Sequence, residues 1–233
     1  MSTAPTVDVP QPGLEGLTPQ ELSMLMELKT LDASSLPGPC QAWPLGEWMF
    51  VEFLGLGRNP GVIENKNHVV LRVPFAHHHG LWWAARVSMD IPKEVENLSS
   101  DSEVDVHISE YLVKLLPFDG PSNRCRQHFK FRFKRPTTLG QLVGLGFEKG
   151  FAQDFLFIIK DEAWKGCRDF ITQFYYWLVE EGFIDSLEVD RGVTLYSVIG
   201  FLYRFDGDAT EMPVDKGDWK QGYTRVEKKG MGY

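Results

Sequence analysis

The chain has 233 residues, 43% of them hydrophobic and 13% aromatic, which is enough material for one large domain with a buried core. Its net charge of −8 excludes a general attraction to nucleic acid, so any such site has to be local. Three cysteines without a CxxC pair exclude a disulfide framework or zinc ribbon and indicate a reducing, cytoplasmic compartment. No secretory signal is recognisable, and no apolar run reaches the roughly 20 residues of a membrane helix, so we expect no membrane contact.

The N-terminal residues divide into a tail and the start of a single domain. Residues 1–17 are rich in Pro, Gly and Thr, which predicts a flexible tail, and residues 18–233 are expected to form one α+β domain. Thr18 and Glu21 have the spacing of a capping box, with Pro19 at the first helical position. An apolar repeat follows them, so a helix is predicted over 19–31.

The middle of the chain has the pattern of a meander. Strands are predicted at Trp48–Leu54, Asn67–Val73 and Trp82–Ile91, each rich in β-branched or aromatic residues and separated by turn residues. Val104–Leu116 fits either a strand or a helix, and we favour a strand. From Arg126 to Lys134 the alternation is complete, with three phenylalanines on one face and basic residues on the other.

The last part of the chain mixes helices and strands. A helix is expected after Thr137, a strand at Asp154–Ile159, and a strong helix at Cys167–Glu181 that ends at Gly182. Helices beside a mainly antiparallel sheet predict an α+β fold rather than a doubly wound one.

Cys167 and His68 are the candidate catalytic pair. Cys167 stands at the predicted start of a helix, where backbone amides and the helix dipole stabilise a thiolate. His68 opens an earlier strand, and the order His before Cys is that of a permuted papain-like enzyme. The alternative is that Cys167 is simply a small buried side chain on the apolar stripe of its helix.

A cluster of basic residues lies in the strand at 126–134 of this otherwise acidic chain. Its candidate RNA-contacting residues are Arg126, Lys130, Arg132 and Lys134. A row of cations backed by phenylalanines can follow a phosphate backbone. The alternative is a solvated sheet face, or an edge strand that charge protects from aggregation.

Three carboxylates stand close together at Asp206, Asp208 and Glu211. Such a group on a loop can hold a metal or bind a guanidinium, although most such loops are only solvated. The spacing is not that of an EF-hand, and neither metal-ligand spacing nor a nucleotide fingerprint is found elsewhere. We therefore expect no metal and no cofactor.

The succession NHVVLRV, WAARVSMDI, QHFKFRF and FLFIIKDEAWKGCRDF resembles the fungal family of arginine-containing cyclodipeptide synthases found in secondary-metabolite clusters. The resemblance spans roughly residues 65–185, and its most distinctive part is the GCR helix start. A DDxxE-type acidic motif of that family has its nearest counterpart at Asp208 and Glu211, with Gly207 in place of the first Asp. The strand motif reads His-Val here, where the family has His-Trp.

The resemblance implies an enzyme that takes arginine from arginyl-tRNA and a second amino acid from another charged tRNA and closes them into a diketopiperazine. The basic strand would then contact the acceptor stem, the three carboxylates would bind arginine, and Cys167 with His68 would carry acyl transfer. Two alternatives stay open. The first is a permuted papain-like hydrolase or acyltransferase acting on a small amide or thioester. The second is a non-catalytic binding protein.

Overall fold

The computed structural model describes residues 16–21, 23, 30–55, 67–92, 106–160, 163–220 and 223–227. Within these ranges the backbone forms twelve strands, three α-helices whose ends both lie in the described residues, and two short 3-10 helices. The strands are β1 (Thr30–Asp32), β2 (Trp48–Leu54), β3 (His68–His79), β4 (Trp82–Asp90), β5 (Val106–Ile108), β6 (Glu110–Leu116), β7 (Cys125–Arg132), β8 (Phe155–Lys160), β9 (Ala163–Lys165), β10 (Phe201–Tyr203), β11 (Ala209–Glu211) and β12 (Asp218–Trp219). The helices are α1 (Gly38–Gln41), α2 (Leu139–Glu148) and α3 (Cys167–Glu180).

The strands form three antiparallel sheets. The largest has six strands in the order β1-β6-β4-β3-β2-β7. A second contains β12, β8 and β5, with β9 paired to β8, and β10 with β11 forms a separate hairpin. All of these pairings are antiparallel, which confirms the expected α+β class.

The hydrophobic core lies between one face of the six-stranded sheet and helix α3. Alternate residues of the strands point into this layer, as the period of two requires, and Val69, Leu71 and Val87 are fully buried there. From the helix, Phe170 and Phe174 meet them, with the Phe170 ring 5.6 Å from that of Tyr111. This packing holds the first turn of α3 beside the start of β3.

The predicted helix over 19–31 is only partly correct. Glu21 accepts from the Thr18 backbone N–H at 2.8 Å and donates its own N–H to the Thr18 hydroxyl, so the capping box forms, and residues 19–21 and 23 are helical. Residues 22 and 24–29 lie outside the described part. Thr30 and Leu31 belong to strand β1, because their backbone pairs with the otherwise open edge of β6 opposite Lys114 and Val113.

Most of the other predicted elements are confirmed with small shifts at their ends. β3 continues six residues beyond the predicted Val73, and the ambiguous 104–116 segment contains two strands, β5 and β6, although residues 104 and 105 are not described. Residues 1–15 of the predicted tail lie outside the described part of the chain. Leu17, also assigned to the tail, packs against the core. Within the described helices, none is long and apolar enough to cross a membrane.

Candidate active site

Cys167 is the first residue of α3, and the residue before it is under tight conformational control. Gly166 has φ of +132°, which disfavours any residue with a side chain. A Cβ on Gly166 would also lie 3.0 Å from the Phe155 ring. The chain therefore turns sharply out of β9 into the helix, and this turn fixes the position of the cysteine that follows.

Cys167 interacts with groups from the start of β3 and from its own helix. Its thiol is hydrogen-bonded to the His68 ring and to the backbone N–H of Val69. Burial disfavours the thiolate, but these hydrogen bonds and the positive charges of His68 and Arg168 outweigh burial and lower the pKa of Cys167. The two residues singled out in the sequence are therefore in contact, about a hundred positions apart in the chain.

Asp90 completes a three-residue arrangement that the sequence reasoning missed. Its Oδ1 lies 2.9 Å from His68 Nε2, which leaves Nδ1 as the ring nitrogen able to face the thiol. Ser88 donates its hydroxyl to Asp90 Oδ2 at 3.0 Å and so orients the carboxylate. Burial alone would lower the pKa of His68, but hydrogen bonds to Asp90 and Cys167 raise it. Burial alone would raise the pKa of Asp90, but the contacts with His68 lower it.

The signal that could have revealed Asp90 is the pairing of β3 with β4, yet a bulge conceals it. The hairpin closes with His79 opposite Trp82, and uninterrupted counting from that pair would place Lys93 opposite His68. The register shifts between Pro74 and His79, after which Leu71 faces Val87. Counting three residues on from the Leu71–Val87 pair in this second register brings Asp90 alongside His68.

The other two cysteines have the opposite electrostatic environment. Burial raises the pKa of Cys40 to about 12 and that of Cys125 to about 12, with Glu21 and Glu52, respectively, adding to the shift. All three cysteines are free thiols. Only Cys167 among them has a lowered pKa, and it is the one next to an imidazole.

A small cavity of about 30 Å³ adjoins the thiol. Its walls come from the start of β3, the start of α3 and the segment after β11. They are Asn67, Lys165, Gly166, Cys167, Arg168, Met212, Pro213 and Asp215. The Asn67 amide is held by the backbone of Tyr203, to which it donates at 2.9 Å and from which it accepts at 2.8 Å. Lys165 lies 3.2 Å from Asp215. The space suits one small group next to the sulfur.

The predicted arginine-binding carboxylates lie near this cavity in the chain but do not line it. Asp206 and Asp208 are exposed in the turn between β10 and β11, where Asp206 Oδ1 accepts from the Asp208 backbone N–H at 3.1 Å. Glu211 is exposed at the end of β11, immediately before the lining residues Met212 and Pro213. No group of three metal-ligating side chains is found in the described part of the chain.

The basic strand forms β7, an edge of the six-stranded sheet. Its alternation is confirmed: Phe129, Phe131 and Phe133 are buried. On the opposite face Arg132 pairs with Glu47 at 2.9 Å, and Lys130 Nζ lies 3.9 Å from the centre of the Trp48 ring. Arg126 lies over the Phe205 ring at 5.0 Å, and Lys134 is exposed. None of the four predicted RNA-contacting residues lines the cavity beside Cys167.

No family model, no curated protein and no solved structure matches the chain.

Proposed function

We propose that this protein is a cysteine-dependent acyl-transfer enzyme in which Cys167 is the nucleophile, His68 the acid and base, and Asp90 the residue that orients the imidazole. The observation that carries the proposal is the contact of a low-pKa thiol at a helix start with a histidine that a carboxylate holds at 2.9 Å. Perturbed pKa values of this kind cluster at functional sites.

The proposed chemistry has two halves. The Cys167 thiolate adds to an acyl carbonyl carbon, and the leaving group departs with a proton from His68, which leaves a thioester on the sulfur. A second nucleophile then gives up a proton to His68 and takes the acyl group, which restores the thiolate. Asp90 keeps His68 in the orientation that serves both steps.

The specific substrates that we propose are aminoacyl-tRNAs, with arginine as one amino acid and a diketopiperazine as the product. The resemblance to the fungal cyclodipeptide synthases and the basic edge strand support this choice. In this scheme the amine of the second aminoacyl group attacks the thioester, and ring closure releases the second tRNA. Asp206, Asp208 and Glu211 would bind the arginine guanidinium.

Expression in a bacterium tests the substrate proposal directly. We expect arginine-containing cyclic dipeptides in the medium by mass spectrometry, and we expect them to disappear in Cys167→Ala and in His68→Ala. Cys125→Ala is the matched control, because that thiol has a raised pKa and is not paired with His68. Undiminished product from Cys167→Ala would remove the covalent step but not the use of tRNA.

The basic strand is tested separately by the salt dependence of tRNA binding. Neutralising Lys130, Arg132 and Lys134 together should weaken binding and reduce the slope of log K against log salt by about 2 to 3. Neutralising Lys216 and Lys220, which lie on another segment, provides the control. An unchanged slope in the triple variant would count against β7 as the tRNA contact.

A second candidate function is hydrolysis or transfer of a small acyl group without tRNA. The cavity of about 30 Å³ favours it, because a small acyl group fits there without further contacts. The triple variant of β7 separates the two functions: it should retain cleavage of a small ester in either case, but lose formation of cyclic dipeptides only if tRNA carries the substrate. Absence of any thiolate reactivity at Cys167 would instead favour a non-catalytic binding protein.

A further inference from the structure

Arg168 is a buried cation whose hydrogen-bonding capacity is only partly used. It follows Cys167 in the first turn of α3 and is 5% exposed. Its Nη1 donates to the Ile199 carbonyl at 3.1 Å. Its Nη2 is buried and has no hydrogen-bond partner among the described residues.

The charged groups around Arg168 do not complete its coordination. The Cys167 thiol, the Tyr203 phenol and the Asp215 carboxylate attract it electrostatically. Asp215, however, lies 3.2 Å from Lys165 Nζ, and that lysine already balances its charge. Burial is the largest influence on Arg168 and lowers its pKa. A buried guanidinium N–H without an acceptor is costly, so a ligand atom that accepts a hydrogen bond would be strongly favoured.

The cavity defines what such a ligand atom can be. Arg168 and Cys167 both line it, and its volume of about 30 Å³ accommodates one or two water-sized groups. A carbonyl carbon bonded to Cys167 Sγ, together with its oxygen, has this size. A long charged side chain does not.

We propose that Arg168 is an oxyanion-binding catalytic residue, whose Nη2 donates a hydrogen bond to the acyl oxygen during attack by Cys167. This inference deepens the proposed acyl transfer and rests on it. When Sγ adds to the carbonyl carbon, the π electron pair of the C=O bond moves to the oxygen, and the negative charge passes from sulfur to oxygen. Arg168 attracts the negative charge while it is on the Cys167 sulfur, and Nη2 donates a hydrogen bond to the oxygen once the charge is there. Collapse of the intermediate re-forms C=O, and the leaving group takes its electrons and a proton from His68.

Two reactions of the same thiolate separate this role from a merely structural one. Iodoacetamide alkylates the sulfur without forming an oxyanion, whereas p-nitrophenyl acetate acylates it through one. We expect Arg168→Gln to slow acylation, measured as the p-nitrophenol burst, by roughly 10²-fold or more, the usual effect of removing one oxyanion donor. Alkylation, compared at a pH above the thiol pKa of each variant, should change little. Arg168→Lys should recover part of the acylation rate, because it keeps the charge.

The matched control is Arg204→Gln, which makes the same substitution at an exposed arginine that does not line the cavity. Its ratio of acylation to alkylation should stay near that of the unmodified chain. A parallel fall of both reactions in an Arg168→Gln variant whose thermal unfolding matches that of the unmodified chain would overturn the proposal, and so would an unchanged burst. If Arg168→Gln does not fold, Arg168→Lys takes its place, and its acylation should still fall more than its alkylation. Absence of both reactions from the unmodified chain would instead refute the acyl-transfer proposal itself.

Discussion

At the scale of single residues, Cys167 differs from Cys40 and Cys125 in the groups that surround its thiol. Cys40 and Cys125 are held as thiols by burial, whereas Cys167 has a hydrogen-bonded imidazole and a backbone amide that favour its thiolate. The sequence could indicate the helix start, since that depends on neighbouring residues. It could not indicate Asp90, whose contact with His68 depends on a bulge in the β3–β4 hairpin that carries both residues.

The pH dependence of Cys167 follows from the two shifted pKa values. Its own pKa is lowered and that of His68 is raised, so the thiolate–imidazolium pair exists between them. We expect iodoacetamide to modify Cys167 at neutral pH, while Cys40 and Cys125 remain unmodified. Ester turnover should rise with pH through the lowered Cys167 pKa and fall again through the raised His68 pKa, because the imidazolium supplies the leaving-group proton. Peptide mapping and a pH–rate profile measure both. Equal labelling of all three cysteines would contradict the assignment.

Asp90→Asn should weaken the pair without removing it. Loss of the carboxylate 2.9 Å from His68 lowers the histidine pKa and frees the ring to rotate, so acylation of Cys167 should slow by roughly 10². The rate of the p-nitrophenol burst, together with the His68 pKa from NMR titration, reports the effect. Asp190→Asn, which alters an exposed carboxylate, serves as the control. If the His68 pKa were as high in Asp90→Asn as in the unmodified chain, Asp90 would not be the residue that orients the ring.

At the scale of elements, the helix that carries Cys167 is well predicted by local rules and the hairpin that carries Asp90 is not. The apolar repeat and Gly182, with φ of +67°, set the extent of α3 within one residue of the predicted end. The alternation of buried phenylalanines and basic residues in β7 is predicted equally well by local rules. β3 and β4 are also recognisable as strands, but their register depends on how many residues the bulge adds, and Pro74 marks the place of the bulge without specifying that number.

The turn between β9 and α3 should be intolerant of any side chain. Gly166→Ala places a Cβ at a positive φ and 3.0 Å from the Phe155 ring, so we expect a loss of about 1–3 kcal/mol in the free energy of unfolding. Displacement of the helix start should also reduce Cys167 alkylation. Denaturant unfolding and labelling rates measure the two effects.

Gly144→Ala is the matched control for that change. Gly144 lies inside α2, where a new Cβ meets no atom within 4 Å, so the substitution should stabilise the chain by about 0.5–1 kcal/mol. If Gly166→Ala were equally harmless, the strained turn would not be what positions the cysteine.

At the scale of the whole molecule, helix α3 is buried on more sides than its apolar stripe predicts. Asp169 and Gln173 are polar but fully buried, because the C-terminal segment 223–227 covers that side of the helix. Gln173 donates to the Val226 carbonyl at 3.0 Å, accepts from its N–H at 2.9 Å and accepts from the Tyr223 hydroxyl. Residues 223–227 thereby support the same helix that presents Cys167.

Gln173→Ala should release this segment. Loss of the hydrogen bonds to Val226 and Tyr223 in a buried setting is expected to reduce the free energy of unfolding by about 2–3 kcal/mol. Limited proteolysis should then cut near the C-terminus sooner. Gln153→Ala, at an exposed position, should change stability by less than about 0.5 kcal/mol. Equal stability of the two variants would mean that the segment contributes nothing to holding α3.

The sequence by itself determined the elements whose signals are local: the capping box at Thr18, the alternation of β7, and a cysteine at the start of an amphipathic helix. Those features depend on side-chain period and on backbone rules that act within a few residues. Only the tertiary structure decided that His68 meets both Cys167 and Asp90, that Arg168 is buried beside the thiol, and that the C-terminal segment covers α3. Each of these depends on strand register and on packing between distant segments, for which neighbouring residues carry no signal.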